Sequence, residues 1–187
     1  MFLDIASGIC IAIGLQHFFG LPLGFSVIAA CIVFALLPDS DFIVHLARGG
    51  TSKNAAHHRD LLHYPLVYIP LGMLLISLLS IPLAIAFGVS SLLHFLHDSI
   101  GIGWGVQWLY PFTASHYSFL YLYQAKGKTS LPKRYFYSWK HEDIPAINKQ
   151  YGDPDWIKHI YLNWHPYAII EFAAFLAAVA ALLVALK

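Results

Sequence analysis

Residues 64–97 read YPLVYIPLGMLLISLLSIPLAIAFGVSSLLHFLH, 34 positions in which the only ionisable side chains besides tyrosine are the two histidines near the end. Wound as one helix, a stretch of that length would run ~50 Å, far beyond the ~30 Å hydrocarbon core of a bilayer. The run therefore has to break, and Ser80 with Pro82 marks where: Pro lacks only an N–H that the first turn of a new helix does not use. The sequence thus predicts an apolar helical hairpin. Working outward, residues 2–19 and 21–37 form a second pair of apolar runs separated by Gly20 and Pro22. An Ala/Leu run over 168–186, ending at Lys187, supplies a last span. Several runs fall short of ~20 residues, which implies a locally thinned bilayer or helix ends at the interface.

Composition agrees. The 187 residues are 58% hydrophobic and 11% charged, with mean hydropathy +0.62, whereas soluble domains carry roughly 25% charged residues. The expectation is an all-α, polytopic membrane helical bundle of about five transmembrane helices, folded as one domain. A formal net charge of +1 excludes the concentrated basic face of a nucleic-acid-binding protein. Cys10 and Cys31 lie inside apolar runs without ligand spacing and read as packing residues. No Lys or Arg precedes Arg48, so the first run is expected to stay as a span rather than be removed as a signal peptide.

Two hairpins place the chain start, the loop over 38–63 and everything from Asp98 to Pro166 on one side of the membrane. That side holds ten of the eleven basic residues, Lys187 being the exception, and the positive-inside rule makes it cytoplasmic. It also gathers three polar clusters rich in metal-ligand types: Asp39 and Asp41, His57 to His63, and His94 to Asp98. Ionisable groups beside membrane spans are costly and point to a site.

Four residues apart on a helix, His94 and Asp98 share a face and can grip one cation, or simply pair with each other at a helix end. Asp39 and Asp41 follow Pro38, which is expected to end the second span. On extended backbone, residues two apart project to one side and can share a metal, the competing reading being a solvated turn. His58 and His63 are five apart, so a joint role needs a non-helical turn between them, and Pro65 would start the next helix just after His63. Arg59 suits a phosphate or carboxylate oxygen, or a positive-inside anchor. His45, His57, His116, His141, His159 and His165 read as interfacial or solvated histidines. All five tryptophans fall between Gly101 and Pro166, as in an interfacial cap. Within it, residues 155–164 are expected to form a helix with Trp156, Ile160 and Trp164 on one face, and 127–132 a turn.

In their order and spacing, Leu36-Leu37-Pro38-Asp39-Ser40-Asp41, His58-Arg59-x-x-x-His63, His94-x-x-x-Asp98 and Trp108-Leu109-Tyr110-Pro111-Phe112 resemble the YdjM-like family of inner-membrane, metal-dependent hydrolases, over residues 1–112. A His usually opens the first helix in that family. Here Asp4 stands at the corresponding place and is implied as a ligand, His17 being at the far end of that helix. Asp60, Leu62 and Tyr64 also depart from the family's Gly, Thr and Ser.

The resemblance implies a metal-site helical core over 1–112. A cytoplasmic interfacial cap would follow over 113–165 and a C-terminal transmembrane helix over 166–187. The expected metal ligands are Asp4, Asp39, Asp41, His58, His63, His94 and Asp98, holding Zn²⁺ or Mn²⁺ and with enough donors for two ions. Arg59 is the expected catalytic residue. The expected activity is hydrolysis of a phosphoester or lipid-linked substrate at the cytoplasmic face of the inner membrane, by metal-activated water. The alternatives are a divalent-metal transporter, or a membrane protein whose metal pins helix ends while the cap binds a partner.

Overall fold

The computed structural model describes residues 1–49, 62–124 and 130–187. Five apolar helices dominate it: α1 (Phe2–Phe19), α2 (Phe25–Leu36), α4 (Pro65–Ser77), α5 (Ile81–Asp98) and α7 (Pro166–Ala185), with the shorter α3 (Ser40–Ala47) and α6 (Ile144–Tyr151) between them. Among the described residues, four candidate spans are long enough to cross a membrane, over Phe2–Phe19, Phe25–His45, Ile81–Asp98 and Pro166–Ala185. With 13 residues, α4 rises only about 20 Å. The chain breaks where Ser80 and Pro82 indicate. Helix α4 ends at Ser77 and α5 opens at Ile81, with the Leu83 amide donating to Ser80 Oγ at 3.4 Å as an N-cap contact. At the first hairpin, α1 stops on Gly20 in the left-handed region, φ 65°, a conformation Gly adopts without a Cβ penalty.

Two compact units make up the fold. One comprises Met1–Pro38, Tyr68–His94 and Pro166–Lys187. Within it α1 packs on both α2 and α7, burying Ala12, Leu15, Cys31 and Ala86 in one cluster and Ala6, Ile9 and Ala178 in another. Small residues let these backbones approach, as expected where apolar solvent gives no hydrophobic drive. A Cβ added at Gly72 would strike the Phe87 ring at 2.1 Å, and one at Gly88 would meet Met73 Sδ at 2.5 Å, so α4 and α5 each notch the other's large side chain. Outward, Phe25 and Leu79 are each 88% exposed. Such apolar surface suits a lipid environment.

The other unit comprises the described residues of Asp39–Val67 and Phe95–His165. It contains the one sheet among the described residues, an antiparallel pair of β1 (His116–Phe119) and β2 (Phe136–Trp139) with His116 opposite Trp139. Trp104, Leu122, Leu131, Tyr137 and Ile144 form its core. The expected helix over 155–164 is shorter and wider. A π-helical turn covers Lys158–Leu162, and Trp164 lies beyond it with φ 51°, off any face shared with the buried Ile160. Residues 127–129 of the expected turn lie outside the described residues.

Candidate metal centre

In the second unit the site is built on His63. The helical path does not end at Pro38. A 3₁₀ turn over Leu37–Asp39 leads straight into α3, because Pro costs one backbone bond and one clash that a tighter turn absorbs. Asp39 and Asp41 therefore stand on helical, not extended, backbone, roughly 200° apart around the axis, and they approach His63 from different sides. Asp41 Oδ2 accepts from Nδ1 at 2.9 Å, while Asp39 Oδ1 and Asp98 Oδ2 lie 3.9 and 3.0 Å from Nε2. The His63 side chain is fully buried. Burial alone would push the imidazole's pKa down, but its hydrogen bonds with Asp41 and Asp98 and their charges outweigh this and bring it up to about 9.

The first unit repeats the pattern. Asp4 lies in the first turn of α1 and is 2% exposed. Its Oδ1 accepts from Nδ1 of the buried His94 at 3.1 Å. Its Oδ2 lies 2.9 Å from the Met1 amine, which is 3.5 Å from the buried Glu171 of α7. Each imidazole thus has a carboxylate on Nδ1, which fixes the tautomer and leaves Nε2 as the lone-pair nitrogen, the arrangement that orients metal-bound histidines.

His94 and Asp98 occupy the last turn and a half of α5, four residues apart. Within the second unit, one donor atom each from Asp39, His63 and Asp98 fall within 4.8 Å of one another. Two carboxylates crowding the same imidazole nitrogen repel each other, and a cation between them relieves that repulsion. Nitrogen and oxygen donors of this kind could hold a metal ion. Of the seven ligands expected from the sequence, these three converge in the second unit, and His94 pairs with Asp4 in the first. Asp4 and Asp41 stand behind the two imidazoles, and His58, like Arg59, lies outside the described residues.

Sequence reasoning missed two polar features. Glu171 is a buried acid inside the Ala-rich α7, although an acid in an apolar run is itself a signal. His116, expected to be interfacial or solvated, is 2% exposed. It sits on the inward-facing side of β1, whose burial alternates residue by residue.

Apolar helices, a lipid-compatible surface and a histidine–carboxylate cluster at helix ends define a polytopic membrane protein with a candidate metal centre. The family model described as YdjM inner membrane protein matches residues 3–186, so the chain belongs to that family. The match extends the likeness through the cap and α7. No curated protein and no solved structure matches the chain significantly.

Proposed function

We propose that this protein is a membrane-embedded, metal-dependent hydrolase acting on a phosphoester or lipid-linked substrate at the cytoplasmic interface. The observation that carries the reading is the buried His63, backed on Nδ1 by Asp41 and faced on Nε2 by Asp39 and Asp98, with the buried His94 backed on Nδ1 by Asp4 in the same manner. With Asp4 and Asp41 engaged behind the rings, the remaining donors suit one ion better than two. A bound divalent ion there would bring the pKa of a coordinated water near neutrality and polarise a phosphoryl or carbonyl oxygen.

The residues' own part is to hold the site in shape. Asp4 and Asp41 keep both rings in the Nδ1–H tautomer, and Asp39 and Asp98 supply the negative charge that a divalent cation balances. The Asp39 side chain is 40% exposed, so one side of the site is open, as a reacting centre requires and a closed structural site does not. Donors in the 3₁₀ turn after α2 and the last turn of α5 also disfavour a transporter, whose ligands lie near the membrane midplane. Arg59 keeps its proposed role on a non-bridging oxygen.

Protein purified in detergent should carry about one transition-metal ion per chain. It should hydrolyse p-nitrophenyl phosphate or a lipid phosphate presented in mixed micelles. Chelation should abolish turnover, and Zn²⁺ or Mn²⁺ should restore it. Metal retention without hydrolysis of any phosphate or carboxyl ester would leave a metal centre and remove the enzyme.

A further inference from the structure

A second cluster of donors lies within the second unit, among residues that the proposed hydrolytic centre does not use. Gln107 Nε2 stands 3.2 Å from His116 Nε2 and 3.2 Å from His141 Nδ1. The two imidazole nitrogens are 3.1 Å apart, and the rings are stacked with 17° between their planes. His116 and Gln107 are 2% and 3% exposed, whereas His141 is exposed.

One primary amide does not serve both imidazoles in this triangle. Its three nearly equal sides, 3.1, 3.2 and 3.2 Å, make each corner about 60°, while the two hydrogens of a primary amide diverge by roughly 120°. Gln107 can therefore donate well to one imidazole, not both. His116 has its tautomer set from behind. Its Nδ1 lies 3.3 Å from the Gly105 carbonyl, so Nδ1–H donates there and Nε2 presents a lone pair to the cluster, as metal-bound histidines do.

The backbone holds this geometry firmly. Gly105 has φ 78°, and a Cβ on it would lie 1.9 Å from the Tyr117 carbonyl oxygen. The Tyr117 amide donates to the Val106 carbonyl at 3.0 Å, which ties the Gln107 loop to β1. Turned over, the Gln107 amide puts Oε1 where Nε2 stands, an exchange the heavy-atom positions permit. The point equidistant from the three donors is then about 1.8 Å from each, just inside the ~2.0–2.1 Å of a Zn–N bond. An ion slightly out of their plane reaches all three.

We propose that Gln107, His116 and His141 form a second metal site, taking a borderline divalent cation such as Zn²⁺ or Ni²⁺ on two imidazole nitrogens and an amide oxygen, with solvent completing its coordination on the His141 side.

The test is Zn²⁺ content of the full-length protein in detergent, loaded with excess Zn²⁺, desalted and assayed by elemental analysis. His141 is exposed, so His141→Ala should fold. It should lose one equivalent relative to the parent while Asp98→Asn loses a different one, and the double variant both. His141→Cys should restore the equivalent, because a thiolate binds zinc where a mere hydrogen-bond partner would not. Gln107→Glu should tighten Zn²⁺ binding at this site at least tenfold by adding a charged oxygen. Equal zinc content in the parent and His141→Ala would overturn the proposal and leave the cluster as a hydrogen-bonded clamp between the Gly105 loop and β1. Unchanged affinity in Gln107→Glu would likewise exclude Gln107 as a ligand.

Discussion

Asp4 and Asp41 are the residues whose roles the structure changes most. Read in sequence they were candidate ligands; in the fold each accepts from the Nδ1 of a buried histidine. Removing such a backing carboxylate typically costs 10–100-fold in metal affinity, less than removing an anionic donor. Asp41→Asn and Asp4→Asn should each keep the hydrogen bond, preserve folding and lower metal affinity by about 10–100-fold, with Asp98→Asn costing more. Asp4→His should not rescue, because a second imidazole would confront His94 Nδ1 instead of the ion. Calorimetric Zn²⁺ titration of the four variants decides it: rescue by Asp4→His, or a loss at Asp41 as large as at Asp98, would return that aspartate to the ligand set. The ligand types were legible because histidine and aspartate stand out in an apolar chain. Which of them would touch the ion was not, since Asp39 and Asp41 separate only once Pro38 is absorbed in a 3₁₀ turn and the helix resumes.

At the scale of elements, the helices were legible and the packing between them was not. The break at Ser80 and Pro82 follows from local chemistry. The β1–β2 pair does not, because HYSF and FYSW are only four residues each and meet across sixteen intervening positions. Nor did anything in the sequence single out Gly8, which decides how close α1 and α2 lie. A Cβ there would fall 2.7 Å from Ile32 Cα and 2.9 Å from the Cys31 carbonyl oxygen. Both are backbone atoms, so a methyl group forces the helices apart rather than rotating a side chain. Gly8→Ala should destabilise the protein by about 1–3 kcal/mol, the usual cost of overpacking. Gly14→Ala, whose added Cβ meets only the Phe18 ring at 4.0 Å, should be neutral or stabilising through helix propensity. Thermal unfolding in detergent compares them, and a Gly8→Ala midpoint at or above that of Gly14→Ala would rule out the close approach of α1 and α2.

For the whole molecule, the difficulty is α4, too short to span a bilayer of ordinary thickness. A contact inside the first unit constrains its path. Asp4, at the start of α1, is hydrogen-bonded to His94, at the end of α5, so both lie at one membrane face and the chain between them crosses an even number of times. Helices α1, α2 and α5 account for three crossings, and α4 has to make the fourth. Leu78 and Leu79, in the turn after it, are 78% and 88% exposed, which suits a hairpin tip in a locally thinned bilayer. The positive-inside rule predicts a cytoplasmic position for the region between α5 and α7, with Lys133, Arg134, Lys140, Lys149 and Lys158, and the alternation of spans predicts that Ser80 and Lys187 face the opposite side. In a variant lacking Cys10 and Cys31, single cysteines at Lys158, Ser80 and Lys187 should report this directly. A membrane-impermeant maleimide applied to intact cells should label the last two and spare the first, which becomes reactive only after lysis. Protection of Ser80→Cys together with Lys158→Cys would mean that α4 turns back without crossing, and the shared depth of Asp4 and His94 would then need another path for the chain.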